Sequence, residues 1–192
     1  MSKVRLYLVR HGKTMFNTIG RAQGWSDTPL TAEGELGIHE LGIGLRESGL
    51  QFDRAYSSDS GRTIQTMGII LEELGLQGKI PYRMDKRIRE WCFGSFDGAY
   101  DGDLFMGVIP RVFKVDHVHQ LSYAELAEGL VEVDTAGWAE GWEKLSSRIK
   151  EGFESIAKEM EEQGGGNALV VSHGMTIGTI VYLINGMHPH GL

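Results

Sequence analysis

At 192 residues, with 41% hydrophobic and 23% charged side chains, the chain has the size and composition of one globular domain that buries its own core. A net charge of −7 with no basic tract excludes a general nucleic-acid binder, so an anionic substrate must be met by arginines gathered in one place. Cys92 is the single cysteine, which excludes an internal disulfide, and no stretch is apolar for the ~20 residues of a membrane span; with no signal-peptide pattern at Met1-Ser2-Lys3-Val4-Arg5, a cytoplasmic protein is expected.

Strand and helix signals alternate along the chain. Val4 to Val9 is an apolar run that reads as a first strand, followed by a glycine- and polar-rich stretch from Gly12 to Pro29. Thr31 offers an N-cap, Glu33 and Glu35 suit the first turn, and Ile38, Leu41 and Leu45 give a helical stripe that Gly49 ends. Arg54-Ala55-Tyr56-Ser57 reads as a second strand. Ser60 then caps a helix carrying Ile64, Met67, Ile70, Leu71 and Leu74. Ile80-Pro81-Tyr82 reads as an edge strand, because proline cannot donate to a central ladder. Residues 97–132 are irregular, broken by Gly98, Gly102, Gly107 and Pro110, and read as an insertion or lid. Trp138, Trp142, Leu145, Ile149, Phe153, Ile156 and Met160 mark a long amphipathic helix with the two tryptophans in the core. Gly164-Gly165-Gly166 ends it. A last strand, Ala168 to Ser172, precedes a short buried helix over 175–183. The expectation is one α/β domain over residues 1–192, with a largely parallel sheet and helices on both faces.

Two strands end in a histidine: Arg10-His11-Gly12 after the first, Ser172-His173-Gly174 after the last. Open α/β sheets bind ligands beyond the carboxyl ends of their strands, so both imidazoles can face one crevice. Arg62 lies near a helix N-terminus, where backbone N–H groups already favour an anion, and Glu90 lies beyond the edge strand. Guanidinium forks match phosphate oxygens, and an unprotonated imidazole can attack phosphorus. A carboxylic acid is then needed to protonate the leaving oxygen. Glu90 is the candidate, with Asp85 and Asp97 as alternatives. His117 and His119 are spaced like a metal pair, but nothing nearby completes a site, so no metal is expected. Cys92 reads as a packed side chain. The apolar residues Leu104, Phe105, Met106, Val108, Ile109, Val112 and Phe113 read as packing, or as a wrap for an organic leaving group.

These windows resemble the histidine phosphatase superfamily, in its phosphoglycerate-mutase-like branch. The likeness rests on Leu8 to Thr14 with Asn17, Gly24 to Asp27 through Leu30-Thr31 and Gly34, Tyr56-Ser57-Ser58 through Arg62-Thr63 with Gln65-Thr66, and Val170 to Gly174, with a looser window of Glu90, Phe93-Gly94 and Gly98. The resemblance implies a three-layer α/β/α sandwich and no cofactor. It implies a phosphohistidine on His11, a phosphate pocket of Arg10, Arg62 and His173, and Glu90 as the acid that later activates water. It also implies phosphate or substrate contacts from Asn17, Gln23, Gly24 and the N–H of Gly174. Mutases of this branch carry an arginine directly after the catalytic glutamate and adjacent arginines in the insertion. Here Trp91 follows Glu90, and Arg111 and Lys114 are scattered. A phosphatase acting on a small phosphorylated metabolite is therefore expected ahead of a mutase or a non-catalytic phospho-ligand binder. A homodimer is compatible with this. Relatives usually continue past the last helix into a final strand, so a sheet edge left open beyond Leu192 is also expected.

Overall fold

The central strand explains the architecture. In the computed structural model, which describes residues 3–186, Ala168, Leu169, Val170 and Val171 are all fully buried within β4 (Gly166–Ser172). A strand covered on both faces needs no polar alternation, which is why this segment reads as a continuous apolar run. It pairs in parallel with β1 (Val4–Arg10) on one side and β2 (Arg54–Ser57) on the other. β3 (Tyr82–Met84) completes the four-stranded order β1-β4-β2-β3. Register sets the site: Arg10 lies opposite Ser172, and the His11 N–H extends the ladder to the Ser172 carbonyl at 3.1 Å. Each histidine is the residue after its strand, so the pairing itself places them side by side.

Helices cover both faces, as expected for the α/β class. The side chains of Leu169 and Val171 pack with Ala55 against Ile38 of α2 (Ala32–Glu47) and Met67 and Ile70 of α3 (Gly61–Glu73). Ala168 and Val170 point the other way, into a core with Ile149, Phe153 and Ile156 of α6 (Trp142–Glu162) and Ile180 of α7 (Gly174–Asn185). Thr31 caps α2 by accepting the Gly34 N–H at 3.0 Å. Ser60 stands at the N-cap of α3 but makes no side-chain cap bond. Between β1 and α2 a single turn, α1 (Met15–Thr18), is closed by a reciprocal cap between Thr14 and Asn17.

Three expectations need correction. The edge strand starts two residues later than the proline suggested, because the Pro81 carbonyl serves as acceptor for Ala55 N while Tyr82, Arg83 and Met84 form the exposed edge. Residues 97–132 are mostly helical: a π-helical stretch Gly102–Val108 runs into α4 (Ile109–Phe113), and α5 (Tyr123–Val133) follows. Pro110 stands at the junction, in the first turn of α4. The long helix begins at Trp142, which packs against Trp91, Tyr123 and Tyr182, whereas Trp138 lies before it and is 69% exposed. Among the described residues no helix is long and apolar enough to cross a membrane. His188 and His190 lie outside the described residues; among the described residues β1 is an edge strand that pairs on one side only, with β4.

Candidate active site

His11 is held in one tautomer. Its Nδ1 lies 2.8 Å from the carbonyl of Gly12, which can only accept, so Nδ1 carries the hydrogen and Nε2 keeps its lone pair. Burial, reinforced by the charge of Arg62, pulls its pKa down to about 3, and the ring is therefore neutral at physiological pH. Its edge meets the His173 ring with centroids 5.3 Å apart. The Gly12 N–H donates to Thr66 Oγ1, which in turn donates to the Arg62 carbonyl, so the turn carrying His11 is tied to α3.

Arg62 is completely buried, yet its guanidinium is almost fully satisfied. Nη1 donates to Asp27 Oδ1 at 2.8 Å and to the Ser26 carbonyl, and Nη2 donates to the Gly24 carbonyl and to His173 Nδ1 at 2.9 Å. Nε–H alone has no partner among the described residues. Because Nδ1 of His173 accepts, Nε2 must carry the hydrogen, which it donates to Ser58 Oγ at 2.7 Å. Burial first, then Arg62, pushes His173 well below the ordinary histidine range. Both of its nitrogens are engaged by the protein. The structure thus brings His173 to the site as a neutral brace between Arg62 and Ser58.

Glu90 reaches the same corner from the other side. Its carboxylate accepts the N–H groups of Met175 and Thr176 in the first turn of α7 and its own neighbour's N–H at Trp91, while the Thr176 hydroxyl donates to the Arg89 carbonyl at 2.7 Å. A carboxylate at a helix N-terminus is favoured by the aligned peptide dipoles. This capping leaves the Gly174 N–H, over which the Arg10 guanidinium lies: a Cβ on Gly174 would stand 3.4 Å from Arg10 Nε. Among the described residues Arg10, Arg62 Nε and the Gly174 N–H are donors without acceptors near this strand-end corner, and an oxyanion fits that need.

A cleft of about 350 Å³ opens onto this corner, lined by Arg10, His11, Lys13, Asn17 and Asp101. Asn17 Oδ1 accepts from the Thr14 N–H at 3.1 Å, which fixes the amide orientation, and Nδ2 has no acceptor among the described residues. Gln23 is different. Its oxygen accepts from Thr14 and its nitrogen donates to Thr28, so both ends belong to the framework. Gly24 is framework too: its N–H goes to Asp97, its carbonyl to Arg62, and a Cβ there would lie 2.3 Å from the Trp91 carbonyl.

Comparison with known proteins turns this geometry into an assignment. The model of the histidine phosphatase superfamily (branch 1) matches residues 6–192. The chain belongs to the histidine phosphatase superfamily. Within it, the chain is 32% identical to the "Probable phosphoglycerate mutase GpmB" of Salmonella choleraesuis (strain SC-B67), over 96% of this chain and 76% of that protein. A solved phosphoglycerate mutase from Bacillus anthracis str. Sterne is 37% identical, with a TM-score of 0.89 over 96% of this chain and 82% of that one. The alpha-ribazole phosphatase from Shigella flexneri shares the fold at a TM-score of 0.67 and 24% identity, over 95% and 80% of the two chains. The four-stranded parallel sheet is thus the fold of this superfamily, whose members named here comprise mutases and a phosphatase.

For a superfamily member, several side chains stay outside the corner. Asp85 is paired with Arg87, and Asp97 accepts the N–H groups of Gly24, Trp25, Ser26 and Phe93, and neither lines the cleft. His117 and His119 are exposed, and among the described residues no cluster of three or more His, Cys, Asp or Glu could hold a metal. Cys92 is buried and burial raises its thiol, as a packed side chain requires. Arg111 and Lys114 are exposed and do not line the cleft. Leu104 and Ile109 are fully buried core residues, whereas Met106 is 80% exposed.

Sequence reasoning missed Asp27, Ser58, Thr66, Asp101 and Arg148. Arg148, on α6, pairs with buried Glu140 and donates to the carbonyls of Arg87, Arg89 and Glu90, pinning the segment that presents Glu90. Ser58 and Thr66 lay within a window already singled out, and an arginine expected at a helix N-terminus demands a nearby anion, a signal that could have found Asp27.

Proposed function

We propose that this superfamily member is a cytoplasmic phosphatase that hydrolyses small phosphomonoesters through a phosphohistidine on His11, with no cofactor. The observation that carries this reading is the tautomer of His11: Nδ1 is committed to Gly12, and a neutral Nε2 stands beside two guanidinium groups. Nε2 attacks phosphorus in line, the P–O bond to the alcohol breaks, and Glu90 gives that oxygen its proton. Water then gives its proton back to Glu90 and cleaves the P–N bond, releasing phosphate and restoring the imidazole. Negative charge on the transferring group is met by Arg10, Arg62, the Gly174 N–H and the Asn17 amide, while His173 keeps Arg62 in place. Positioning and charge stabilisation dominate phosphoryl transfer, and these donors supply both.

The decisive test uses p-nitrophenyl phosphate in the presence of chelator. His11→Ala should lower kcat by about 10⁴-fold or more. Quenching wild-type enzyme in alkaline detergent during turnover of labelled ester should trap a base-stable phosphoprotein that the variant lacks and that brief acid treatment then discharges. Turnover that survives in the variant would overturn the mechanism. The mutase reading draws on the relatives that carry that name at 32% and 37% identity. A rate of 3-phosphoglycerate isomerisation exceeding phosphate release would favour it.

A further inference from the structure

The cleft contains a charge that phosphate binding does not use. Asp101 lines it together with Arg10, His11, Lys13 and Asn17, and among the described residues its carboxylate has neither a cation nor a hydrogen-bond donor as partner. Burial alone pushes this carboxyl up, with no cation opposing it. The nearby Arg21 is turned elsewhere, its guanidinium lying 4.3 Å over the Tyr100 ring and bonded to the Gly98 carbonyl. Asp101 is nonetheless firmly placed, because its own N–H donates to the Gly20 carbonyl at 2.9 Å.

The positive charges around it are already allocated. Lys13 is turned into an ion pair with Glu33 at 2.7 Å at the exposed rim, and buried Arg62 is paired with Asp27 at 2.8 Å. Arg10 is the lining cation without a carboxylate among the described residues, and the strand-end corner needs it for phosphate. A substrate bearing a second anionic group would therefore meet Asp101 rather than a free cation. Like charges brought together in a partly desolvated site are strongly disfavoured, whereas a hydroxyl or ammonium group there gains a charge-assisted hydrogen bond.

We propose that Asp101 is a specificity residue, selecting phosphomonoesters whose leaving alcohol carries hydroxyl or ammonium donors and rejecting those that carry a carboxylate. This rests on reading the cleft as the place where phosphoesters are cleaved. It makes the substrate class polyol-like or amino-alcohol phosphates, distinct from phosphoglycerates, even though relatives of this chain bear the mutase name.

Glycerol 3-phosphate and 3-phosphoglycerate form a matched pair, differing only in a CH₂OH or a carboxylate at the far carbon. Each is supplied to wild-type enzyme and to Asp101→Asn, and phosphate release plus isomerisation is followed. Wild-type kcat/KM should favour glycerol 3-phosphate by about ten-fold or more, and the variant should shrink that ratio by about five-fold or more. A ratio within one enzyme preparation is insensitive to any loss of folded protein. Equal use of the two esters by wild type, a preference for 3-phosphoglycerate, or a ratio unmoved in the variant would overturn the proposal. Hydrolysis of p-nitrophenyl phosphate, run alongside, separates the failures. If that ester is cleaved, only the role of Asp101 falls; if it is not, the phosphatase reading falls first and takes this one with it.

Discussion

The two carboxylate oxygens of Glu90 are unequal, and the difference says where its proton sits. Oε1 accepts from the Trp91 N–H and the Thr176 N–H, which fill it, whereas Oε2 accepts only from the Met175 N–H. A carboxylate oxygen has about two lone-pair directions. Only Oε2 has room for the hydrogen that a leaving alkoxide would take. Glu90→Gln keeps the shape but cannot deliver a proton, and kcat/KM stops at formation of the phosphohistidine. We expect kcat/KM for alkyl phosphates to fall by about 10²- to 10³-fold and that for p-nitrophenyl phosphate by far less, since its leaving group needs little protonation. A series of aryl and alkyl esters checks this through the slope of log kcat/KM against leaving-group pKa, and equal slowing would point to another acid. Residues of this kind were legible in the sequence because histidine, arginine and glutamate at strand ends are chemically uncommon choices. Ser58 and Arg148 were not, because their meaning lies in partners 115 and 58 residues away.

At the scale of elements, α6 does more than bury an apolar stripe. Arg148, its side chain only 14% exposed, forms an ion pair with Glu140 at 2.6 Å and closes three backbone carbonyls around Glu90. Removing one member of such a pair strands the other: Arg148→Met should cost about 3–5 kcal/mol in urea unfolding. Adding Glu140→Leu should recover much of that loss, because an apolar pair of similar volume needs no desolvation. Alkyl-ester kcat/KM should stay low in the double variant, since the carbonyls flanking Glu90 remain untied. Recovery of activity together with stability would reduce Arg148 to a packing role. The parallel character of the sheet and the helices α2, α3 and most of α6 could be read because the central strand is apolar throughout and each helix buries a face with a clean period. Residues 97–132 could not, since a π-helical turn shifts the spacing of buried positions and Leu104 and Ile109 fall five apart. The β3 edge slipped by two residues for a related reason: all three of its side chains are exposed, so no alternation marked its register.

For the whole molecule, the site imposes a cost that acid should reveal. Folding buries His11 and His173 as neutral rings, His11 with its pKa drawn down to about 3 and His173 lowered in the same direction. The unfolded chain holds both near the ordinary value of about 6.5, so between roughly pH 6.5 and pH 3 it binds more protons than the folded one. Stability is therefore full above pH 6.5 and drains away as pH falls through that window. Carboxylates held below their usual range, such as Asp59 and Asp85, act in the same sense only below about pH 4.5, so the histidines dominate from pH 6.5 to 4.5, opposed by Asp101, whose raised carboxyl takes up its proton more readily in the fold. Each ring that cannot protonate in the fold contributes a slope of about 1.4 kcal/mol per pH unit. Urea unfolding at half-unit steps across that range should give a wild-type slope near twice this value, and His11→Asn, which cannot titrate, should flatten it by about one such increment. A wild-type slope close to zero would mean that His11 is readily protonated in the folded protein, and the neutral nucleophile on which the proposed chemistry depends would be lost with it.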